Sequence, residues 1–156
     1  MDIYEEGAKN ELKRAEHLLY VSLKYTRTVD VIRSIIERLI SSFDYMMKDL
    51  FKHFKDKIKE DIPSAPVKRA ELLKKLFHDN EKALEAVDFY LLLRKLIRAK
   101  YVKQMEFRKH VALISTMKDN EGNKKIVRVD LDTIEGYYNL TKKCVEYIDE
   151  VIQGKK

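Results

Sequence analysis

The chain has 156 residues, of which 45% are hydrophobic and 37% charged, and its 32 Lys and Arg against 26 Asp and Glu leave a formal net charge of +6. That length suits one domain over residues 1–156 with its own core, and the apolar fraction excludes an intrinsically disordered chain. The lone cysteine, Cys144, excludes an internal disulfide framework and a cysteine-rich zinc site. The longest uninterrupted apolar run, residues 89–93, is far too short to span a bilayer, and no apolar run follows a basic start, so a cytoplasmic location is expected.

Only four Gly and two Pro interrupt a sequence dominated by helix formers, so regular structure with few turns is expected. Heavy use of Lys, Glu and Ile with little Gln gives the composition a thermophile-like cast.

In chain order, a first helix is predicted over residues 4–25, with Leu12, Ala15, Leu19, Ser22 and Leu23 on one face. Thr28 or Asp30 can cap a second helix, although without Gly or Pro in residues 26–30 a continuous kinked helix is the alternative. The second helix carries the strongest stripe: Ile32, Ile36, Leu39, Phe43, Met47, Leu50, Phe54 and Ile58 recur every three or four residues, and the helix must stop before Pro63 and Pro66.

A short third helix is predicted over residues 67–77. Asp79 or Asn80 then caps a long fourth helix over residues 81–110. After His110 two short β-favouring runs, residues 111–116 and 124–129, flank turn chemistry at residues 117–123 and suggest a β-hairpin. The alternative extends the fourth helix to Met117 and follows it with a loop. A last helix starts near Leu131 behind Asp130 or Asp132, with Ile134, Tyr138, Thr141, Val145, Ile148 and Ile152 on one face. The expected fold is therefore mainly α, an antiparallel bundle of four to five helices with a short β-hairpin at about 111–129.

The most informative chemistry is basic. Between residues 94 and 110 stand Arg94, Lys95, Arg98, Lys100, Lys103, Arg108 and Lys109, opposed by Glu106 alone. On a helical wheel Arg94, Arg98, Tyr101, Met105 and Arg108 fall within a quarter turn, while Phe89, Leu92, Leu96 and Phe107 form the apolar side. Lys100 and Lys103 land beside that apolar side, which points to a groove or an interface and not to a closed core. Lys and Arg neutralise phosphates and Tyr101 can stack on a base, so Arg94, Arg98, Lys100, Tyr101, Lys103, Arg108 and Lys109 form a candidate RNA or nucleotide contact. The competing readings are a solvated helix face paired with acids from neighbouring helices, and a structural or protein-partner module that dimerises through the basic helix.

Other motifs are sparse. His17, His53, His78 and His110 lack metal-ligand spacing, and no metal or cofactor is expected. His78-Asp79 superficially resembles the dipeptide of HD-domain phosphohydrolases, with His53 upstream and Asp130 and Asp132 downstream. Gly7, Gly122, Gly136 and Gly154 stand far apart, which excludes Rossmann and P-loop motifs. Arg108 and His110 are candidate catalytic residues of a metal-free ribonuclease, His for proton transfer and Arg for phosphate charge. Two residues apart on a helix, however, they point in nearly opposite directions. Cys144 and the tyrosines Tyr137, Tyr138 and Tyr147 read as packing residues of the last helix.

The paired N-terminal helices, the basic segment of residues 94–110 and the acidic turn of residues 129–135 before the last helix resemble the HEPN domains of prokaryotes. The resemblance implies a compact helical bundle, homodimerisation, and either metal-independent ribonuclease activity or partnership with another protein. The family's signature separates its Arg from its His by several residues. Here a single residue, Lys109, lies between Arg108 and His110 and replaces the family's polar residue. The resemblance therefore implies a non-catalytic member that binds RNA, a nucleotide or a protein partner.

Overall fold

The computed structural model describes residues 7–154. Its elements follow in the order α1 (Ala8–His17), a π-helical turn (Leu18–Ser22), α2 (Leu23–Tyr25), α3 (Val29–His53), α4 (Pro66–Leu76), α5 (Glu81–Arg98), β1 (Lys100–Gln104), β2 (Ala112–Lys118), β3 (Lys124–Val129) and α6 (Leu131–Ile152). The fold is mainly α, with one small antiparallel sheet in the order β1-β2-β3. The expected start of the first helix at Tyr4 lies outside the described residues, as do Lys155 and Lys156.

The π turn has a sequence cause. Ala15, Leu19 and Leu23 are all buried and are spaced by four. Each step of four advances an α-helix by about 40° beyond a full turn, and a wider π turn absorbs that drift. The first helix therefore keeps one buried face up to Tyr25. It then breaks at Thr26, and Thr28 caps α3 by accepting a hydrogen bond from the Val31 N–H at 3.3 Å.

Helix α3 is the centre of the molecule. Val29, Ile32, Ile35, Ile36 and Leu39 have no exposed surface, because α1, α5, α6 and β2 all pack against this helix. It stops at His53, one turn short of the predicted stripe. The following residues are mostly Lys and Asp and offer no apolar face, so Phe54 and Ile58 reach the core from a 3-10 turn (Lys55–Lys57) instead. Pro66 opens α4, where its fixed φ suits the first turn. Asn80 caps α5 through the Ala83 N–H at 3.1 Å.

Asp130 caps α6. Its carboxylate accepts from the Thr133 N–H at 2.9 Å and from the Thr133 hydroxyl at 2.8 Å. Those bonds hold its pKa below the ordinary carboxylate value. A carboxyl that is more acidic in the folded state stabilises the fold above its unfolded pKa, and that stability is lost as pH falls through the folded value. Asp130→Ala is therefore expected to cost about 1 kcal/mol at neutral pH. Urea titrations repeated at successively lower pH should show the gap to the parent protein closing through the carboxylate range.

The predicted hairpin is present: β2 and β3 pair antiparallel from Leu113↔Val129 to Lys118↔Lys124. Asp119 closes its turn by accepting from the N–H groups of Glu121 at 2.9 Å and Asn123 at 2.8 Å, and Gly122 supplies the positive φ of 82°.

The fourth helix needs correcting. It ends at Arg98 and not at His110. Ala99 turns to an extended conformation, and Lys100–Gln104 pairs with β2 as a third strand. The helical wheel drawn through Tyr101, Met105, Phe107 and Arg108 therefore does not exist. The cause is tertiary: β2 exposes a free edge, and Tyr101 and Val102 are β-favouring residues that satisfy it.

Candidate phosphate-contacting surface

Residues 98–129 hold nine Lys and Arg against three Asp and Glu, so the sheet and its flanks carry an excess equal to the +6 of the whole chain. The strand register sorts these residues onto two faces. Tyr101 and Lys103 share the inner face with Leu113, Ser115, Val127 and Val129, towards α3. Lys100, Val102 and Gln104 share the outer face with Ile114, Thr116, Ile126 and Arg128.

Several predicted residues are already engaged within the chain. Arg94 donates from Nε to the Tyr90 hydroxyl oxygen at 2.5 Å and from a terminal nitrogen to Asp44 Oδ2 at 3.2 Å, while Tyr90 donates to Asp44 Oδ1 at 2.6 Å. Burial, and then the bond to Asp44, push the Tyr90 phenol well above its ordinary pKa, so it remains a donor. Lys103 pairs with Asp30 at 3.2 Å and with Glu106 at 3.7 Å, and the Asp30 bond raises its pKa. Tyr101 has the Arg33 guanidinium 4.3 Å from its ring centroid, so one face of the ring is taken.

The remaining cations are open. Arg98 at the end of α5, Lys100 at the start of β1, and Arg108 and Lys109 in the loop after it are all exposed. Among the described residues none of these four side chains has an ion pair or hydrogen bond. Arg128 shares the outer face with Lys100. It bonds to the Gln104 side chain and to the His110 carbonyl, which ties the loop of residues 105–110 to the sheet.

That loop is built, not slack. The Phe107 N–H donates to the Arg27 carbonyl at 2.6 Å, and Glu106 Oε2 accepts from the Val29 N–H at 2.9 Å. Glu106 thus adds a second cap to α3 from 77 residues away. Met105 and Phe107 take positive φ values of 54° and 66°. Sequence reasoning placed Phe107 on an apolar helix face; it is in fact 75% exposed. Its only signal was its position inside the basic run. Arg108 and His110 are both exposed, and no hydrogen bond joins them into an acid–base pair.

Elsewhere, His78 and Asp79 form an exposed pair at 3.3 Å in the turn between α4 and α5. No cluster of three or more His, Cys, Asp or Glu able to hold a metal occurs among the described residues. No helix among them is long and apolar enough to cross a membrane. The half-buried Cys144, whose thiol pKa burial raises, lines a cavity of about 690 Å³ floored by Phe43, Met46 and Met47 and walled by α5 and α6.

Comparison with protein families, curated proteins and solved structures finds no match for this chain. The functional reading therefore rests on the surface itself.

Proposed function

We propose that this chain is a cytoplasmic binding protein that contacts RNA, or another phosphate-bearing ligand, through Arg98, Lys100, Arg108 and Lys109. The observation that carries this reading is the contrast between engaged and open cations. Arg94 and Lys103 have acidic partners within the chain, whereas these four, at the end of α5, the start of β1 and the loop after it, are exposed and have no ion pair or hydrogen bond among the described residues. Cations left without partners are available to replace the counterions of phosphates. The HEPN-like helix pattern would make RNA the natural ligand and the role non-catalytic.

The contrast gives the test. Arg108→Ala with Lys109→Ala should weaken binding of a fluorescent single-stranded RNA, read by anisotropy at low salt, by tenfold or more. Lys103→Ala, which removes a cation already committed to Asp30 and Glu106, should change it much less. Equal effects from the two variants would sink the assignment.

A second reading, homodimerisation through the outer sheet face, is favoured by one observation. Val102, opposite Ile114, and Ile126, opposite Thr116, lie there and are 62% and 65% exposed. A dimer built this way should appear by light scattering and revert to a monomer in Val102→Lys. A monomer at all working concentrations would remove this reading.

A further inference from the structure

Phe107 is the least expected side chain on the surface. Exposed positive-φ sites favour Gly or Asn, because a Cβ crowds the backbone there. This chain instead places a phenyl ring at φ 66° and leaves it 75% exposed, two residues after Met105 at φ 54°. Among the described residues no aromatic or cationic partner lies on the ring.

The backbone beneath the ring is fixed. The 2.6 Å bond from the Phe107 N–H to Arg27, the 2.9 Å bond from the Val29 N–H to Glu106, and the link from Arg128 to the His110 carbonyl hold the loop to α3 and to the sheet. Backbone strain that the surroundings over-determine in this way is a mark of functional positions.

We infer that Phe107 is a stacking platform for one unpaired base of a single-stranded RNA, with Arg108 and Lys109 on the neighbouring phosphates. This rests on the RNA reading above and deepens it. The choice of partner follows from charge. A second copy of this chain seated on Phe107 would bring Arg108 and Lys109 against their own counterparts, and like charges disfavour such a self-paired contact. A nucleotide strand offers a flat π-face for the ring and anionic groups for the two adjacent cations. Tyr101, the aromatic that the sequence suggested, has one ring face under Arg33 and lies on the inner side of the sheet. A duplex hides its base faces, so the preference is for unpaired strands.

The chain contains no tryptophan, so Phe107→Trp introduces a single indole that can be excited selectively. The probes are a short oligouridylate and inorganic polyphosphate, which has the charge but no bases. Oligouridylate is expected to quench the indole of that variant, and polyphosphate is expected to bind without quenching. In the parent protein background, Phe107→Ala should lower oligouridylate affinity on the order of 10-fold while leaving the polyphosphate affinity and the salt slope unchanged. Phe107→Gly should lose the same affinity with an equal or higher Tm, because it relieves the positive φ; this separates lost stacking from lost folding.

If Phe107→Ala binds oligouridylate like the parent protein while Arg108→Ala does not, stacking is overturned and the phosphate reading survives. If polyphosphate quenches as strongly as oligouridylate, stacking is likewise overturned. If the parent protein binds neither probe at low salt, both readings fall together.

Discussion

Asp44→Ala is expected to destabilise the protein by about 3 kcal/mol, measured by urea unfolding at neutral pH. Asp44 is the shared acceptor of Arg94 and Tyr90, with bonds of 3.2 and 2.6 Å, and the Arg94 and Asp44 side chains are only 19% and 24% exposed. Its removal leaves a guanidinium and a phenol largely out of water without their acceptor, and breaking one side of such a pair costs more than the pair contributes. Tyr90→Phe removes one donor and no charge, so it should cost only about 1 kcal/mol. At a temperature where Asp44→Ala is still folded, its RNA affinity should match that of the parent protein. This network joins α3 to α5, and Arg94 serves there and not in the proposed binding surface. A substitution that includes Arg94 would mix lost binding with lost stability.

Phe89→Ala should have an effect of similar size, about 4 kcal/mol, with Phe89→Leu nearer 1 kcal/mol. Phe89 stands edge-on to Phe43 of α3 at 5.8 Å and to Tyr137 of α6 at 5.3 Å, so one ring links three helices. The link matters because Phe43, Val87 and Tyr90, around this ring, line the 690 Å³ cavity between α5 and α6. Truncation would extend an existing cavity while removing two aromatic contacts, and the walls have little left to close on. Thermal unfolding of the two variants beside the parent protein checks this. An alanine variant as stable as the leucine variant would mean that α5 relaxes onto α6.

These two clusters show what the sequence made legible. The stripe on α3 was readable because one helix is covered on several sides and must be apolar at every third or fourth position. The caps were readable as pairs of candidates, Thr28 or Asp30, Asp79 or Asn80, and Asp130 or Asp132, because short polar side chains stand just before apolar runs; the structure selects Thr28, Asn80 and Asp130. The hairpin was readable from the turn around Asp119 and Gly122. The end of α5 was not. No Gly or Pro follows Arg98, and Lys100–Gln104 becomes a strand only because β2 offers an edge to pair with.

That one boundary moved the whole candidate site. It turned Tyr101 and Lys103 inward, left Lys100 outward, and placed Phe107 in a loop whose two positive-φ residues carry none of the usual turn signals. The pairing of Arg94 with Asp44, fifty residues apart, was equally invisible, although the four-residue spacing of Tyr90 and Arg94 on one helix was there to be read.

The decisive measurement is the salt dependence of oligouridylate binding, for the parent protein and for a variant with Arg98, Lys100, Arg108 and Lys109 all replaced by Ala. If each of the four cations neutralises one phosphate of a single strand, log affinity against log salt should have a slope of about −3, or roughly a 50-fold loss between 50 and 200 mM. The fourfold variant, with its fold confirmed by an unchanged urea midpoint, should bind weakly with a slope near zero. Absence of binding by the parent protein at low salt, or a fourfold variant that keeps the parent slope, would contradict the account.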